Sequence, residues 1–192
     1  MRLTDDTYEF IKNEAADTLV RYDMHQLPID GFELAMKMGI ILVPYSSLSL
    51  KKQNAAYKVS ADSFYLEPGD GQEYIYYNDT LVYERSNMNC MHEIGHAVLG
   101  HDKYTDPETA EAEAGFFARY MIAPIPLISK LNPCAPCEIS QVFSMSLQAS
   151  GNAYSNWQKR MKYGDSELAY YEIQILAQFK EVMPMNAKNK TH

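Results

Sequence analysis

Two histidines and a glutamate stand at a spacing that suits metal-dependent hydrolysis. The run Met91–Gly100 reads MHEIGHAVLG and contains His92, Glu93 and His96. Residues four apart on a helix lie on one face, so both imidazoles can reach one tetrahedral ion. Glu93, about 100° further round the helix, can hold a water molecule and take its proton. The spacing predicts a zinc site with His92 and His96 as ligands and Glu93 as the general base, which then passes the proton to the leaving amine.

The helix that carries this motif has two distinct faces. Met91 and Ile94 lie on an apolar face, whereas His92 and His96 lie on a polar one. Gly100 is a typical residue for the end of a helix. Burying imidazoles and a carboxylate without partners is costly, and a metal ion removes that cost. The alternative interpretation is a solvated helix face that matches the motif by chance.

The next helical segment is expected to supply the third ligand. Asp106 is a typical N-cap followed by proline, and Pro124 marks the end of the segment. Glu113 alone among its carboxylates lies within an apolar stripe, which is formed by Ala110, Phe116, Phe117 and Tyr120. A carboxylate in such surroundings needs a partner, and a zinc ion is a natural one. We therefore predict Glu113 as the third ligand and interpret Glu108 and Glu111 as solvated charges.

A more closely spaced third ligand is the alternative. In the metzincin pattern a glycine follows the second histidine by three residues, and a ligand comes three residues later. Those places are occupied here by Leu99 and Asp102, while Gly100 and His101 are each out of step by one. Asp102 is therefore kept as the alternative third ligand.

The two motifs together resemble the ImmA/IrrE metallopeptidase family. The first block is HEIGHAVLGH at residues 92–101, and the second is EAGFFARYMIAP at residues 113–124. The second block of the family usually reads Glu-Ala-Asn-x-Phe-Ala-x-x-Leu-Leu-Met-Pro. This chain carries Gly115 at the asparagine position and Ala123 at the methionine position. The similarity spans residues 30–163.

The resemblance implies a fold, an activity and a partner. The implied fold is α+β: a compact zincin-like core of helices on a small, mostly antiparallel sheet, followed by a helical C-terminal region. The implied activity is that of a zinc metalloendopeptidase with a single active site, with Zn²⁺ held by His92, His96 and Glu113. Its implied substrate is a helix-turn-helix transcriptional repressor of a mobile element or a stress response. The alternative is a zinc-stabilised module that binds a repressor or toxin without cutting it.

The segment ahead of the motif is predicted to form two helices and a first strand. Residues 4–25 have the pattern of an amphipathic helix with Thr4 as its N-cap. A second helix is expected to start after Asp30 and to end at Gly39. The apolar run 40–43 has the length of a short strand.

A β-hairpin is predicted between this strand and the motif. Residues 55–79 are rich in β-forming residues, including Tyr57 and Val59, and the turn lies at residues 68–71. Either arm could receive a substrate as an added strand. Four tyrosines are candidates for an oxyanion-stabilising hydroxyl, namely Tyr76, Tyr77, Tyr83 and Tyr120.

A change of composition after Pro124 predicts two regions. Residues 1–124 are assigned to the peptidase core and residues 125–192 to the helical C-terminal region, with a helix-turn-helix-like segment at about 138–162. A further helix is predicted over 167–182.

No catalytic or metal-binding role is assigned to the cysteine pair, the basic cluster or the tail of the C-terminal region. Cys134 and Cys137 form a C-x-x-C pair that lacks the second pair of a zinc knuckle and is expected in a loop. Lys159, Arg160 and Lys162 make residues 138–162 locally basic, although docking of a substrate or plain packing is favoured over DNA contact. A frayed tail is expected over 183–192.

Composition and charge narrow the class of protein. The chain has 192 residues, a net charge of −8 and 46% hydrophobic residues, with the excess of acidic side chains in residues 1–124. An acidic surface repels phosphates, so direct DNA binding by the core is disfavoured and a protein partner is expected. No apolar run is long enough for a membrane span, and three cysteines fit reduced thiols. We therefore expect a cytoplasmic protein.

Overall fold

The computed structural model describes residues 2–69, 71–102, 104–164 and 167–181, which form an α+β fold, as predicted. The helices are α1 (Asp5–Arg21), α2 (Gly31–Met38), α3 (Leu50–Val59), α4 (Tyr83–Val98), α5 (Pro107–Ile122), α6 (Ile125–Leu131), α7 (Pro136–Phe143), α8 (Leu147–Tyr163) and α9 (Tyr170–Gln178). The strands are β1 (Ile41–Pro44), β2 (Ser63–Leu66) and β3 (Tyr74–Tyr77), and a short 3-10 turn covers Tyr45–Ser47. The predicted tail 183–192 lies outside the described residues, as does Val182.

The chain divides into two compact units. The first consists of Met1–Ala15 and Asp30–Met121, and the second of Ala16–Ile29 and Ile122–His192. The first unit contains the sheet and α4, the helix with the histidine motif. The assignment of residues 1–124 and 125–192 to separate domains stays a prediction. Within the described ranges, no helix combines the length and the apolar composition needed to cross a bilayer.

The sheet of the first unit is mixed rather than mostly antiparallel. Its strand order is β1-β3-β2, with β3 in the centre. The β2–β3 pair is the predicted antiparallel hairpin, with Tyr65 opposite Ile75. The β1–β3 pair is parallel, with Leu42 opposite Ile75. A parallel pair needs a long crossover between its strands, and α3 is part of that connection.

Helix α3 corrects one expectation from the sequence. Tyr57 and Val59 were expected among the β-formers, but both lie in the last turn of α3. The preceding residues Lys51–Ala56 include two lysines, a glutamine and two alanines, which favour a helix. The ring of Tyr57 packs edge-on against Tyr45 at 5.0 Å between centroids. Tertiary packing and the helical run together outweigh the β-propensity of two residues.

The predicted starts of α1, α2 and α5 and the glycines after α2 and α4 are confirmed by their caps, whereas α1 ends at Arg21 rather than at residue 25. Thr4 Oγ1 accepts a hydrogen bond from Thr7 N, and Asp30 Oδ1 accepts from Phe32 N and Glu33 N. Asp106 Oδ2 accepts from Thr109 N at the start of α5. Gly39 and Gly100 follow α2 and α4 with φ values of 83° and 68°, a left-handed conformation that glycine adopts without strain.

Small residues bring α5 against α4. A Cβ atom placed on Gly95 would lie 3.1 Å from Ala114 Cα and 3.2 Å from a ring atom of Phe117. Ala114 and Phe117 are both fully buried, as are Met91 and Ile94 of α4. The absent side chain at Gly95 therefore sets how closely the two helices approach, and α5 carries the carboxylates that face the histidine motif.

This contact reverses the usual effect of a glycine-to-alanine change in a helix. We expect Gly95→Ala to lower the free energy of unfolding by about 1–3 kcal/mol, because overpacking a tight core contact costs that much. Gly151→Ala in α8 is the matched control, since a Cβ there meets nothing within 4 Å. That change should raise the free energy of unfolding by up to about 1 kcal/mol. Denaturant unfolding of both variants measures the difference, and equal effects would contradict this explanation.

The second unit contains two helices, α7 and α8, over the segment for which a helix-turn-helix-like arrangement was predicted. Helices α7 and α8 are joined by Ser144–Ser146, where Ser144 has a φ of 47° and Ser146 Oγ accepts from Ala149 N. Cys137 lies in the first turn of α7 rather than in the predicted loop, and Cys134 precedes that helix. Both cysteines are exposed and lie outside any disulfide in the described residues.

Candidate metal centre

Three side chains of the first unit converge on one point. The Nε2 atoms of His92 and His96 are 3.1 Å apart. Glu111 brings Oε2 to 3.2 Å from His92 Nε2 and Oε1 to 3.6 Å from His96 Nε2. Among the described residues, these three form the group of metal-ligating side chains with suitably close ligand atoms. Glu111 reaches the imidazoles from α5, and its side chain is 68% exposed.

The spacing of these atoms fits a tetrahedral ion. Zinc bonds of about 2.0–2.2 Å to nitrogen and oxygen place neighbouring ligand atoms about 3.4 Å apart. The three distances here, 3.1, 3.2 and 3.6 Å, scatter around that value. Two imidazoles and a carboxylate also form a common donor set for catalytic zinc, with the fourth position left open. The residues present therefore fit the metal that the sequence implies.

The predicted third ligand, Glu113, lies elsewhere. Its Oε2 is 2.9 Å from His101 Nε2, and the structure brings Glu111 rather than Glu113 to His92 and His96. The helix phase explains the difference. Gly115 of α5 faces His92, since a Cβ on Gly115 would be 3.9 Å from His92 Nδ1. Glu111 is one turn before Gly115 on that face, whereas Glu113 is displaced from Glu111 by about 200° around the helix.

Asp102, the alternative third ligand, is engaged in a turn. Its Oδ1 accepts hydrogen bonds from Tyr104 N at 2.9 Å and from Thr105 N at 3.1 Å. These bonds, the one from Tyr104 first, hold the pKa of the Asp102 carboxyl below its usual range. Asp102 does not belong to the converging group in the described part of the chain.

Glu93 is held in place by an edge strand. Its Oε1 accepts from Ser63 Oγ at 2.7 Å, and its Oε2 accepts from Tyr65 N at 2.9 Å. The residue is 7% exposed, and burial raises the pKa of its carboxyl against the opposing effects of Ser63 and His92. A carboxyl with a raised pKa is better matched to proton transfer near neutral pH. Because β2 lies at the edge of the sheet, its outer N–H is free to bind this carboxylate.

His96 is the first of three side chains joined in series by polar contacts, followed by His101 and Glu113. Its Nδ1 is 3.0 Å from His101 Nδ1, and His101 Nε2 meets Glu113 at 2.9 Å. Burial, followed by the charge of His92, lowers the pKa of His96 to about 4 although Glu111 opposes the shift. The imidazole of His96 is therefore neutral at neutral pH, which is the form that binds a metal.

A cavity of about 400 Å³ opens over this group. Its lining includes His92, Glu93, His96 and Glu111 together with Ser63 and Phe64 of β2. The proposed ligands, the predicted base and the sheet edge thus share one space. The cavity thus places a possible cation site, at His92, His96 and Glu111, beside the buried carboxylate of Glu93.

The four candidate tyrosines do not line this cavity. Tyr76 stacks on Phe64 at 4.9 Å between centroids, and the Tyr83 hydroxyl donates to Asp30 Oδ2 at 3.1 Å. The other two pack on aromatic rings: Tyr77 against Phe32 and Tyr120 against Phe116. Three of the four tyrosines thus make ring-packing contacts, and the hydroxyl of Tyr83 is engaged with Asp30.

Three residues of the site were missed by reasoning from the sequence. Glu111 was interpreted as a solvated charge, and its side chain is indeed 68% exposed, but its position beside His92 and His96 was not expected. No role was given to Ser63 or His101. A signal for Glu111 exists in hindsight, because it precedes the small residues Ala114 and Gly115 by three and four positions. The spacing of Ser63 and Tyr65 by two residues in a strand gives no such signal.

Comparison with known proteins identifies the family of the chain. The family model Peptidase M78, described as an IrrE N-terminal-like domain, matches residues 32–150. No curated protein matches the chain. The matched range covers more than half of the 192 residues and contains α4 and α5. The chain therefore belongs to the IrrE N-terminal-like (ImmA/IrrE) family of metallopeptidases.

Proposed function

We propose that this metallopeptidase is a zinc-dependent endopeptidase that cleaves a helix-turn-helix transcriptional repressor. The observation that carries the proposal is the convergence of His92, His96 and Glu111 at distances of 3.1–3.6 Å beside the buried carboxylate of Glu93. We assign the first three as metal ligands, with Glu111 taking the place predicted for Glu113, and Glu93 as the general base.

In the proposed hydrolysis, the metal ion would supply positive charge and Glu93 would transfer the proton. A bound zinc ion supplies positive charge to a scissile carbonyl and makes a water molecule more acidic. Glu93 accepts the proton of that water on its carboxylate and later gives it to the amine nitrogen that leaves. The hydrogen bonds from Ser63 Oγ and Tyr65 N keep the carboxylate oriented for both transfers. No other proton carrier is needed.

The edge of the sheet supports a path for a protein substrate. Of the two hairpin arms, β3 is central and β2 is at the edge, so β2 is the arm that a substrate strand can lie beside. The Tyr65 N–H on that edge already binds Glu93, so pairing there uses the other polar groups of the strand. Ser63 and Phe64 of β2 line the cavity over the proposed ligands. A second cavity, of about 580 Å³, also borders Glu111 and is lined by Tyr8 and Phe116. The second cavity offers apolar surface to side chains of a bound peptide, whereas the cavity over the proposed ligands is mainly polar.

The repressor as substrate is supported by the sequence resemblance and by the charge of the chain. A net charge of −8 favours a neutral or basic protein partner over nucleic acid. Transcriptional repressors carry a basic DNA-binding surface, which this charge attracts. A transcriptional repressor acts where the DNA is, so such a substrate is consistent with the cytoplasmic location that we propose for the reaction.

Incubation with a repressor tests the proposal. The purified chain is mixed with the helix-turn-helix repressor encoded nearest to its gene, with and without a zinc chelator, and products are identified by mass spectrometry. We expect two fragments that disappear with chelator and return when zinc is restored. A stable complex without fragments would instead identify a binding module that does not cut. Fragments that persist in chelator would contradict the role of a metal.

A further inference from the structure

We propose that Glu113 and His101 act as a positioning pair that fixes the ring tautomer of His96 and presents its Nε2 lone pair to the metal. The inference rests on the proposed function because it concerns one ligand of the proposed centre. It gives a role to Glu113, the carboxylate that the sequence had suggested as a ligand, and to His101, for which the sequence suggested none.

The pair is well placed to hold His96. Glu113 Oε2 is 2.9 Å from His101 Nε2, and His101 Nδ1 is 3.0 Å from His96 Nδ1. The side chain of His101 is 6% exposed and that of Glu113 is 21% exposed. Gly100 precedes His101 in a left-handed conformation, and this turn brings the His101 ring back against the last turn of α4. Little solvent reaches His101 to replace either contact.

The carboxylate of Glu113 determines which ring nitrogens of His101 and His96 carry a proton. An ionised carboxylate only accepts hydrogen bonds, so the proton of a neutral His101 lies on Nε2, facing Glu113. His101 Nδ1 is then bare and accepts from His96 Nδ1–H. His96 Nε2 is left bare, and it is the nitrogen that faces His92 and Glu111 at 3.1 and 3.6 Å. The closer contact to His101, at 3.0 Å, therefore favours the proton on His96 Nδ1 over the competing position on Nε2, which faces Glu111 at 3.6 Å.

The opposite arrangement would block the metal. With a proton on Nε2, His96 would donate to Glu111 and could not offer a lone pair to an ion. In a free neutral imidazole the proton exchanges between the two nitrogens, so Nε2 is unprotonated in only part of the population. A partner that removes the other tautomer raises the effective affinity of the ligand, and such supporting contacts typically contribute about 10- to 100-fold in metal binding.

His92 provides an internal comparison. In the described part of the chain its ring contacts are made through Nε2, toward His96 and Glu111, and no polar partner is found for Nδ1. The two proposed nitrogen ligands are therefore held differently. Loss of the pair should change the tautomer of His96 and leave that of His92 unaffected.

Nitrogen-15 NMR of the imidazoles in the full-length, zinc-free protein tests the proton order directly. We expect His101 to carry its proton on Nε2 alone and His96 on Nδ1 alone. A His96 ring protonated on Nε2, or a His101 ring protonated on both nitrogens, would overturn the inference. This readout does not depend on zinc, so it remains decisive even if the chain binds no metal and the proposed function fails.

Two variants measure the consequence for binding. In Glu113→Gln the amide both donates and accepts, so it no longer selects one tautomer of His101. In His101→Phe the acceptor for His96 Nδ1–H is lost while a flat ring remains. We expect both to weaken zinc binding by about 10- to 100-fold in competition with a metal indicator, with a mixed tautomer signal at His96 in Glu113→Gln.

The control is Glu84→Gln, which removes an acidic charge from the exposed first turn of α4. It should keep the zinc affinity and the His96 tautomer of the parent chain. Parent-like affinity in Glu113→Gln would refute the positioning role while leaving the proposed function intact. Absence of zinc binding in the parent would refute the function, and the tautomers would still decide the inference.

Discussion

Replacing Glu93 with glutamine is expected to stop peptide cleavage and leave the metal in place. The amide retains an oxygen that accepts from Tyr65 N and gains an N–H₂ group that can donate to Ser63 Oγ, so the local fold survives. It cannot accept a proton from water, and loss of a general base costs about 10²- to 10⁴-fold in rate. The turnover of a purified repressor, measured beside the zinc content, gives both quantities.

The control for this change removes a contact without removing the base. Ser63→Ala deletes one hydrogen bond to Glu93 and keeps the one from Tyr65 N. We expect it to retain zinc and to cleave much faster than Glu93→Gln. Cleavage by Glu93→Gln at the parent rate would show that the proton leaves the water by another route.

The elements that carry the site could be predicted because their signals are local. Asp106 and Pro107 fix the start of α5, and Gly100 follows the end of α4 in the conformation that its sequence position suggested. Met91 and Ile94 are three residues apart on the apolar face of α4, so His92 and His96 are expected on the opposite, polar face. Family membership rests on the same local residues, which is why it was predicted from the sequence and confirmed by comparison.

The parts that could not be predicted depend on partners distant in the chain. The parallel pairing of β1 with β3 depends on the crossover through α3, which no short-range pattern specifies. The choice between Glu111 and Glu113 depends on which side of α5 meets α4. An apolar stripe identifies the core side, but α5 approaches α4 through Ala114 and Gly115, small residues that leave little hydrophobic signal.

Glu111→Gln and Glu113→Gln are expected to differ strongly in how well they bind zinc. Glu111 supplies oxygens 3.2 and 3.6 Å from the two Nε2 atoms, so its replacement removes one of the three proposed protein ligands and the negative charge that would face the ion. We expect Glu111→Gln to lose zinc during dialysis against metal-free buffer and to lose cleavage with it.

Glu113→Gln should behave differently because Glu113 acts through His101 rather than on the ion. At saturating zinc it should still bind one equivalent and still cleave, with an affinity reduced by about 10- to 100-fold. Elemental analysis after dialysis, followed by titration with zinc, separates the two variants. If Glu113→Gln were the variant that could not be loaded, and Glu111→Gln kept its metal, the carboxylate selected by the apolar stripe would be the ligand. Helix α5 would then have to rotate in the loaded protein, because the two carboxylates lie about 200° apart around its axis.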